Sequence, residues 1–221
     1  MLILAGTKVV EAPQDWHAAI NAGDGGLVVD VGSGDGRWAY ENARADPSRT
    51  YVALDPDAGS LREYAFKAAR KPSRGGITNA VFVVASVETP PYELDGAADQ
   101  IAVIFPWAAL LRGILLPEMA VIDGLARMAK DGAALTLVLT YDATHDHGAG
   151  LADALPSLDE ASLDRLHAPY AAAGLDVESV RRVPRDEALA IPSTWGRRLL
   201  HGRAREVFEV RGVIRKRGRR V

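Results

Sequence analysis

The sequence predicts an α/β fold built on a mostly parallel sheet. Five short apolar runs rich in β-branched residues are separated by segments of helix formers, and none of the runs alternates polar with apolar as a half-exposed strand would. A glycine-rich turn follows the first run, where an open α/β sheet meets its ligand.

The runs are Leu27 to Val31, Tyr51 to Leu54, Val81 to Ala85, Ile101 to Phe105 and Ala134 to Leu139. Between them, Arg37 to Ala45, Gly59 to Lys71, Leu110 to Leu116 and Glu118 to Met128 read as helices, with Pro72, Pro117 and Gly132 as stops. The pattern changes after Tyr141. Asp142 to Pro156 is polar and loop-like, Leu158 to Ala173 reads as a helix, and Val177 to Val183 and Val207 to Ile214 read as an antiparallel pair closing one sheet edge. Met1 to Ala12, centred on Gly6, reads as a small hairpin. The expectation is a seven-stranded, mostly parallel sheet with an antiparallel C-terminal edge and an N-terminal hairpin. It forms one domain over 1–221, with the hairpin at 1–12 and an insertion at 142–175 between strands five and six. There is no internal repeat and no low-complexity linker.

Of the 221 residues, 48% are hydrophobic and 25% charged, which is the balance of a folded domain and not of a disordered chain. The absence of cysteine excludes disulfide frameworks, thiolate zinc sites and cysteine nucleophiles. The opening residues lack a signal-peptide pattern, and no apolar stretch approaches the ~18 residues of a membrane helix. The expected location is therefore cytoplasmic, with no membrane partner.

The net charge of −3 hides a split. From Arg181 to Val221 there are 13 Lys+Arg and 4 Asp+Glu, a balance of +9, whereas residues 1–180 hold 13 and 25, a balance of −12. A second basic cluster, Arg62, Lys67, Arg70, Lys71 and Arg74, interrupts the acidic portion. Two basic surfaces on one domain point to a polyanion.

In LVVDVGSGDGRWAY a buried strand delivers Asp30, Gly32, Gly34 and Gly36 before a helix begins at Arg37. A dinucleotide fingerprint requires glycine where Arg37 stands, and Asp30 and Asp35 would repel a pyrophosphate. A nicotinamide oxidoreductase is thereby disfavoured. The carboxylates suit a cationic ligand without phosphate, and S-adenosylmethionine presents its ammonium end at such a loop. Asp55 closes the second strand, where an acid accepts ribose hydroxyls, and Ser86-Val87-Glu88 ends the third, beside the adenine. Ile104-Phe105-Pro106-Trp107 ends the fourth, a Pro-aromatic edge similar to motif IV of methyltransferases that modify base nitrogens. An aromatic ring there stacks on an extruded base, and base stacking is worth ~1–3 kcal/mol. Trp195, between Thr194 and the pair Arg197-Arg198, is the candidate for the opposite side.

Together, Asp30 to Gly36, Lys71-Pro72-Ser73-Arg74-Gly75-Gly76, Phe105-Pro106-Trp107 with Leu110-Leu111, and Ser193-Thr194-Trp195 followed by Arg197-Arg198-Leu199 resemble the aminoglycoside-resistance methyltransferases that modify N1 of adenine 1408 in 16S rRNA. The resemblance runs from the first residues to about Gly212. It implies a class I (Rossmann-like) methyltransferase with S-adenosylmethionine as cofactor, S-adenosylhomocysteine as product and no metal. The cofactor would lie against Asp30, Gly32, Ser33, Gly34, Asp55, Pro56, Val87, Glu88, Ile104, Phe105, Pro106, Trp107 and Ala109. Trp107 and Trp195 would sandwich the flipped adenine, with Ser193 holding that pocket. Lys67, Arg70, Lys71 and Arg74 on one side and Arg197, Arg198, Arg203 and Arg205 on the other would grip the 30S subunit around helix 44, the protein acting as a monomer.

The sequence departs from the family at Ala108, where a glycine commonly follows the tryptophan, and in the 142–156 linker, which has His145 and His147 but no Lys or Arg. Alternate spacing without a third ligand argues against a histidine metal site. Adenine N1 carries a free lone pair at neutral pH, so no general base is required and alignment is the main catalytic device. A small-metabolite methyltransferase and a non-methylating S-adenosylmethionine-binding RNA module remain as alternative functions.

Overall fold

The structure, a computed structural model, describes residues 1–16, 24–142, 146, 155–202 and 204–216. The chain opens with a hairpin, β1 (Leu2–Ala5) and β2 (Lys8–Glu11), and then builds the parallel sheet from β3 (Leu27–Val31), β4 (Thr50–Asp55), β5 (Ala80–Val84), β6 (Ala98–Ile104) and β7 (Ala129–Leu139). The intervening helices are α1 (Arg37–Ala45), α2 (Ala58–Ala68), α3 (Ala108–Leu115) and α4 (Met119–Met128). Beyond β7 come α5 (Glu160–Asp164), α6 (His167–Ala172), β8 (Leu175–Arg182), α7 (Arg185–Ala190), α8 (Thr194–Leu200) and β9 (Phe208–Ile214).

One sheet runs β2-β1-β5-β4-β3-β6-β7-β9-β8. Strands β3 to β7 are parallel, and β9 returns antiparallel to β7, as expected. The hairpin is not a separate appendage: Ile3 pairs with Val83, so among the described residues the predicted seven strands become nine in one sheet.

Alternate residues of each central strand face opposite layers. Leu27, Val29 and Val31 pack with Leu111, Ile122 and Leu125 of α3 and α4, whereas Val28, Tyr51 and Ala53 pack with Tyr40 and Leu61 of α1 and α2. Full burial of such side chains contributes ~1.5–3 kcal/mol each, which lets a cysteine-free chain rest on its core.

The helix expected over Leu158 to Ala173 is broken in two. Pro169 falls in the first turn of α6 and has no N–H to carry a single helix through, so the chain re-enters at Leu166. Gly132 does not stop the chain: it sits inside β7 at φ 80, because Ala129 turns extended at ψ 148 directly after α4. Helices α7 and α8 were not expected from the pattern.

Candidate functional site

The C-terminal ends of β3, β4, β5 and β6 open into a cavity of about 670 Å³. Gly32 takes φ 69, and a Cβ there would sit 2.2 Å from Cδ2 of Leu110. Gly34 takes φ 58 and faces open space, so it serves the turn and leaves the backbone accessible to a ligand. Asp55 fixes this loop: Oδ2 accepts from Gly34 N at 2.9 Å and Oδ1 from Asp57 N at 2.9 Å. The sequence reading gave Asp55 only a ribose role and missed this one.

Asp30 lies beneath the loop, 1% exposed, and neither carboxylate oxygen has a hydrogen-bond partner. Burial, reinforced by Asp55 and Asp35, raises its pKa well above the usual carboxylate range. Burial also raises Asp55, partly opposed by the amides of Asp57 and Gly34. Among the described residues, the cavity wall carries Asp35, Asp55, Glu63 and Glu88 against the single guanidinium of Arg198. An orphaned buried carboxylate below an acidic wall fits a cationic ligand such as S-adenosylmethionine, with its ammonium and sulfonium, and disfavours a phosphate.

The structure brings most of the expected cofactor residues to this cavity: Gly32, Ser33 and Gly34 from the loop, Asp55 and Pro56 from the end of β4, Val87 and Glu88 from the end of β5, and Ile104, Phe105, Trp107 and Ala109 from the end of β6. Asp30 and Pro106 are not part of the wall; both are buried. Phe105 at φ 52 and Ala108 at φ 49 bracket Pro106-Trp107, turning the chain sharply so that Trp107 faces the cavity. The effect of Ala108 therefore lies in the backbone more than in lost space.

Trp195 rides on the first turn of α8. Ser193 caps that helix, its Oγ accepting from Gly196 N at 3.0 Å. Gly196 lets α8 settle on Phe105, since a Cβ there would stand 2.4 Å from the ring. The two tryptophans meet edge to face, centroids 5.4 Å apart at 68°. Ser-Thr-Trp-Gly carries a legible cap, but its docking on Phe105 has no local signal.

The expected basic residues divide. Lys67 is tied to Glu63 at 2.7 Å and stands 4.0 Å over the Tyr64 ring, whereas Arg70, Lys71 and Arg74 are exposed around a turn that Tyr40 holds by donating to Gly75 O at 2.7 Å. Arg197 is exposed and Arg198 reaches the cavity. Arg203 lies outside the described residues, as do His145 and His147. Arg205 is a correction: it is not on a free face but buried, donating twice to Asp146 at 2.6 Å with side chains 6% and 5% exposed. The fork that would grip a phosphate already holds a carboxylate. Among the described residues no cluster of three metal-ligating side chains occurs.

A family model, NpmA: 16S rRNA (adenine(1408)-N(1))-methyltransferase, matches residues 2–214. A 16S rRNA (adenine(1408)-N(1))-methyltransferase of Escherichia coli is 33% identical over 218 residues, covering 98% of this chain and 100% of the relative. One from Streptoalloteichus tenebrarius is 34% identical, covering 85% of this chain and 87% of its own. Among solved structures, a tryptophan-to-alanine variant of the enzyme from Catenulisporales acidiphilia, with cosubstrate SAM, is 36% identical, with a TM-score of 0.90 and full coverage of both chains.

Proposed function

The chain belongs to the 16S rRNA (adenine(1408)-N(1))-methyltransferases, and from that membership we propose how its own residues carry out the reaction. It is an S-adenosylmethionine-dependent enzyme that methylates N1 of adenine 1408 and confers aminoglycoside resistance. The observation that supports the site assignment is one cavity wall shared by the glycine loop, the β6 edge and the capped turn of α8.

When bound, S-adenosylmethionine supplies an electrophilic methyl on a sulfonium centre. Asp30 beneath the loop and the loop itself at Gly32 to Gly34 would hold the cationic amino-acid end, Asp55 and Pro56 would take the ribose, and Val87 and Glu88 would take the adenine side. Ile104, Phe105 and Ala109 close the wall. Trp107 and Trp195 would clamp the extruded target base and orient its N1 lone pair toward the cofactor, and Ser193 positions Trp195 by capping α8. No side chain has to remove a proton, because N1 carries none. The product base is cationic, and two indole faces stabilise that charge by about 1 kcal/mol. A methylated N1 cannot accept a hydrogen bond, so a drug that pairs with that edge loses affinity.

The substrate is the assembled 30S subunit around helix 44. Lys67, Arg70, Lys71 and Arg74 dock on one side and Arg197, Arg198 and Arg203 on the other, through phosphates and shape. The protein works as a monomer in the cytoplasm, as a single methyltransferase domain over 1–221 with the hairpin at 1–12 and an insertion at 142–175. Among the described residues no helix is long and apolar enough to cross a membrane.

Primer extension on 30S subunits incubated with protein and cofactor tests the reading. A stop at adenine 1408, with joint resistance to kanamycin- and apramycin-type drugs on expression, is expected; no stop overturns it.

A further inference from the structure

We propose that Phe66 is an rRNA-contacting residue, the apolar centre of a basic patch on α2 that packs against the ribose edge of a shallow RNA minor groove. The inference rests on the rRNA substrate proposed above and adds to it a contact that charge alone does not predict. Phe66 is 53% exposed and belongs to none of the hydrophobic clusters of the core. Helix α2 turns Leu61, Tyr64, Ala65 and Ala68 inward, and the ring stands on the opposite face.

A half-exposed phenyl group alone is ordinary protein surface. Its surroundings here are not ordinary. Arg62 lies one helical turn before it on the same outward face, and Arg70, Lys71 and Arg74 follow just past the helix end, all exposed. Lys67 is held by Glu63, whereas these four have no ion-pair partner among the described residues. Ser60 and Glu63 of the same helix line the cavity, so the patch continues from the rim of the active site.

A convex helix cannot enclose an extruded base, so the ring is a docking contact and not a second base pocket. The A-form minor groove is wide and shallow and displays riboses between two rows of phosphates. Cations on either side of an apolar centre match that cross-section, with the guanidiniums at the phosphates and the ring on the sugars. An anionic membrane would demand a broader apolar face, with several large side chains along the helix. Phe66 is the one large apolar side chain exposed on α2.

The test compares the wild type with Phe66→Ala, Phe66→Trp and Arg70→Ala. It measures binding to vacant 30S subunits across a salt series, cofactor affinity by calorimetry, and binding to vesicles of anionic phospholipid. Phe66→Ala is expected to weaken 30S binding about fivefold or more at every salt concentration, with an unchanged salt slope and unchanged cofactor affinity, because the ring carries no charge. Phe66→Trp keeps the affinity, and Arg70→Ala lowers the slope by about 1. Unchanged 30S affinity in Phe66→Ala overturns the inference and leaves the function intact. A parallel loss of cofactor affinity or thermal stability, or a Phe66-dependent attachment to vesicles, also overturns it. If the wild type neither binds nor methylates 30S subunits, the functional reading itself fails and the inference falls with it.

Discussion

Trp107 and Trp195 touch edge to face, with centroids 5.4 Å apart and ring planes at 68°. A base stacked between them needs parallel planes about 7 Å apart, twice the contact distance of ~3.5 Å. The proposed clamp therefore requires the two rings to separate and turn before a base fits between them. Trp107 follows directly on the sharply turned end of β6, whereas Trp195 is 36% exposed on a helix of seven residues, so the proposal expects Trp195 to be the ring that turns. Replacing either by alanine is expected to reduce methylation at least a hundredfold while cofactor affinity by calorimetry stays within about threefold, since each stacking face is worth ~1–3 kcal/mol and alignment is lost as well. Full activity of both variants would remove the sandwich.

Gly196→Ala tests how α8 is seated. The new methyl would lie 2.4 Å from the Phe105 ring, and both lie in the packed interior, so the helix has to shift. Overpacking of this kind costs about 1–3 kcal/mol. The expected outcome is a melting temperature lowered by several degrees and methylation lowered at least tenfold. Wild-type activity would show that the position of α8 does not matter.

The strand-loop-helix unit from Leu27 to Ala45 was legible because each level agreed: buried period, glycine turn and helix start all coincide. Trp107 and Trp195 could be picked out as aromatics at a sheet edge and in a basic tail. The short α7 and α8 were not legible, since six or seven residues between Pro184 and Gly202 are too few for a helical period to declare itself. The +9 of the tail stands as a balance, but not every basic residue in it is free to meet a polyanion. Arg181, Arg182 and Arg211 pair with Glu187, Glu206 and Glu209, which the balance of +9 already counts, whereas Arg205 and Arg215 pair with Asp146 and Asp176 from outside the tail and so take two charges from it. Asp146 and Arg205 are 59 residues apart, and no local pattern announces their pairing.

That buried pair predicts an acid-sensitive tie. Burial alone would raise the Asp146 carboxyl, but the Arg205 guanidinium outweighs it and holds the pKa below the usual value. Its contribution to stability is therefore present above about pH 4 and lost as pH falls through the lowered value. Asp146→Ala leaves a buried guanidinium unpaired and is expected to cost about 3 kcal/mol by urea unfolding at pH 7. The double variant Asp146→Ala with Arg205→Met should recover part of that loss and flatten the acid limb of the stability curve. With Arg205→Met measured alone, a double-variant loss equal to the sum of the two single losses would show that the residues are not coupled.

Ala108→Gly tests the strain at the β6 edge. Alanine at φ 49 pays about 1–2 kcal/mol that glycine does not. Part of the gain is offset by the extra freedom of glycine in the unfolded chain. A rise of a few degrees in melting temperature, with methylation retained, is expected in differential scanning calorimetry. A fall would show that the turn is held without strain.

Asp30→Asn separates what the site costs the fold from what it does for the ligand. The carboxylate is buried without a partner, and its raised pKa means that the cofactor-free fold takes up a proton which the unfolded chain releases near pH 4. The folded state then binds more protons between those two values, so stability falls as pH rises through the interval, opposite to the Asp146 case. Asparagine keeps the shape and removes the charge. The cofactor-free variant should therefore melt at a higher temperature than the wild type at pH 8, with a flatter dependence on pH. Its affinity for S-adenosylmethionine should drop about tenfold or more, as expected for a lost charge-assisted hydrogen bond of ~1.5–3 kcal/mol. A variant that is stabilised yet binds the cofactor as tightly as the wild type would place the ammonium elsewhere on the acidic wall, at Asp35 or Glu63.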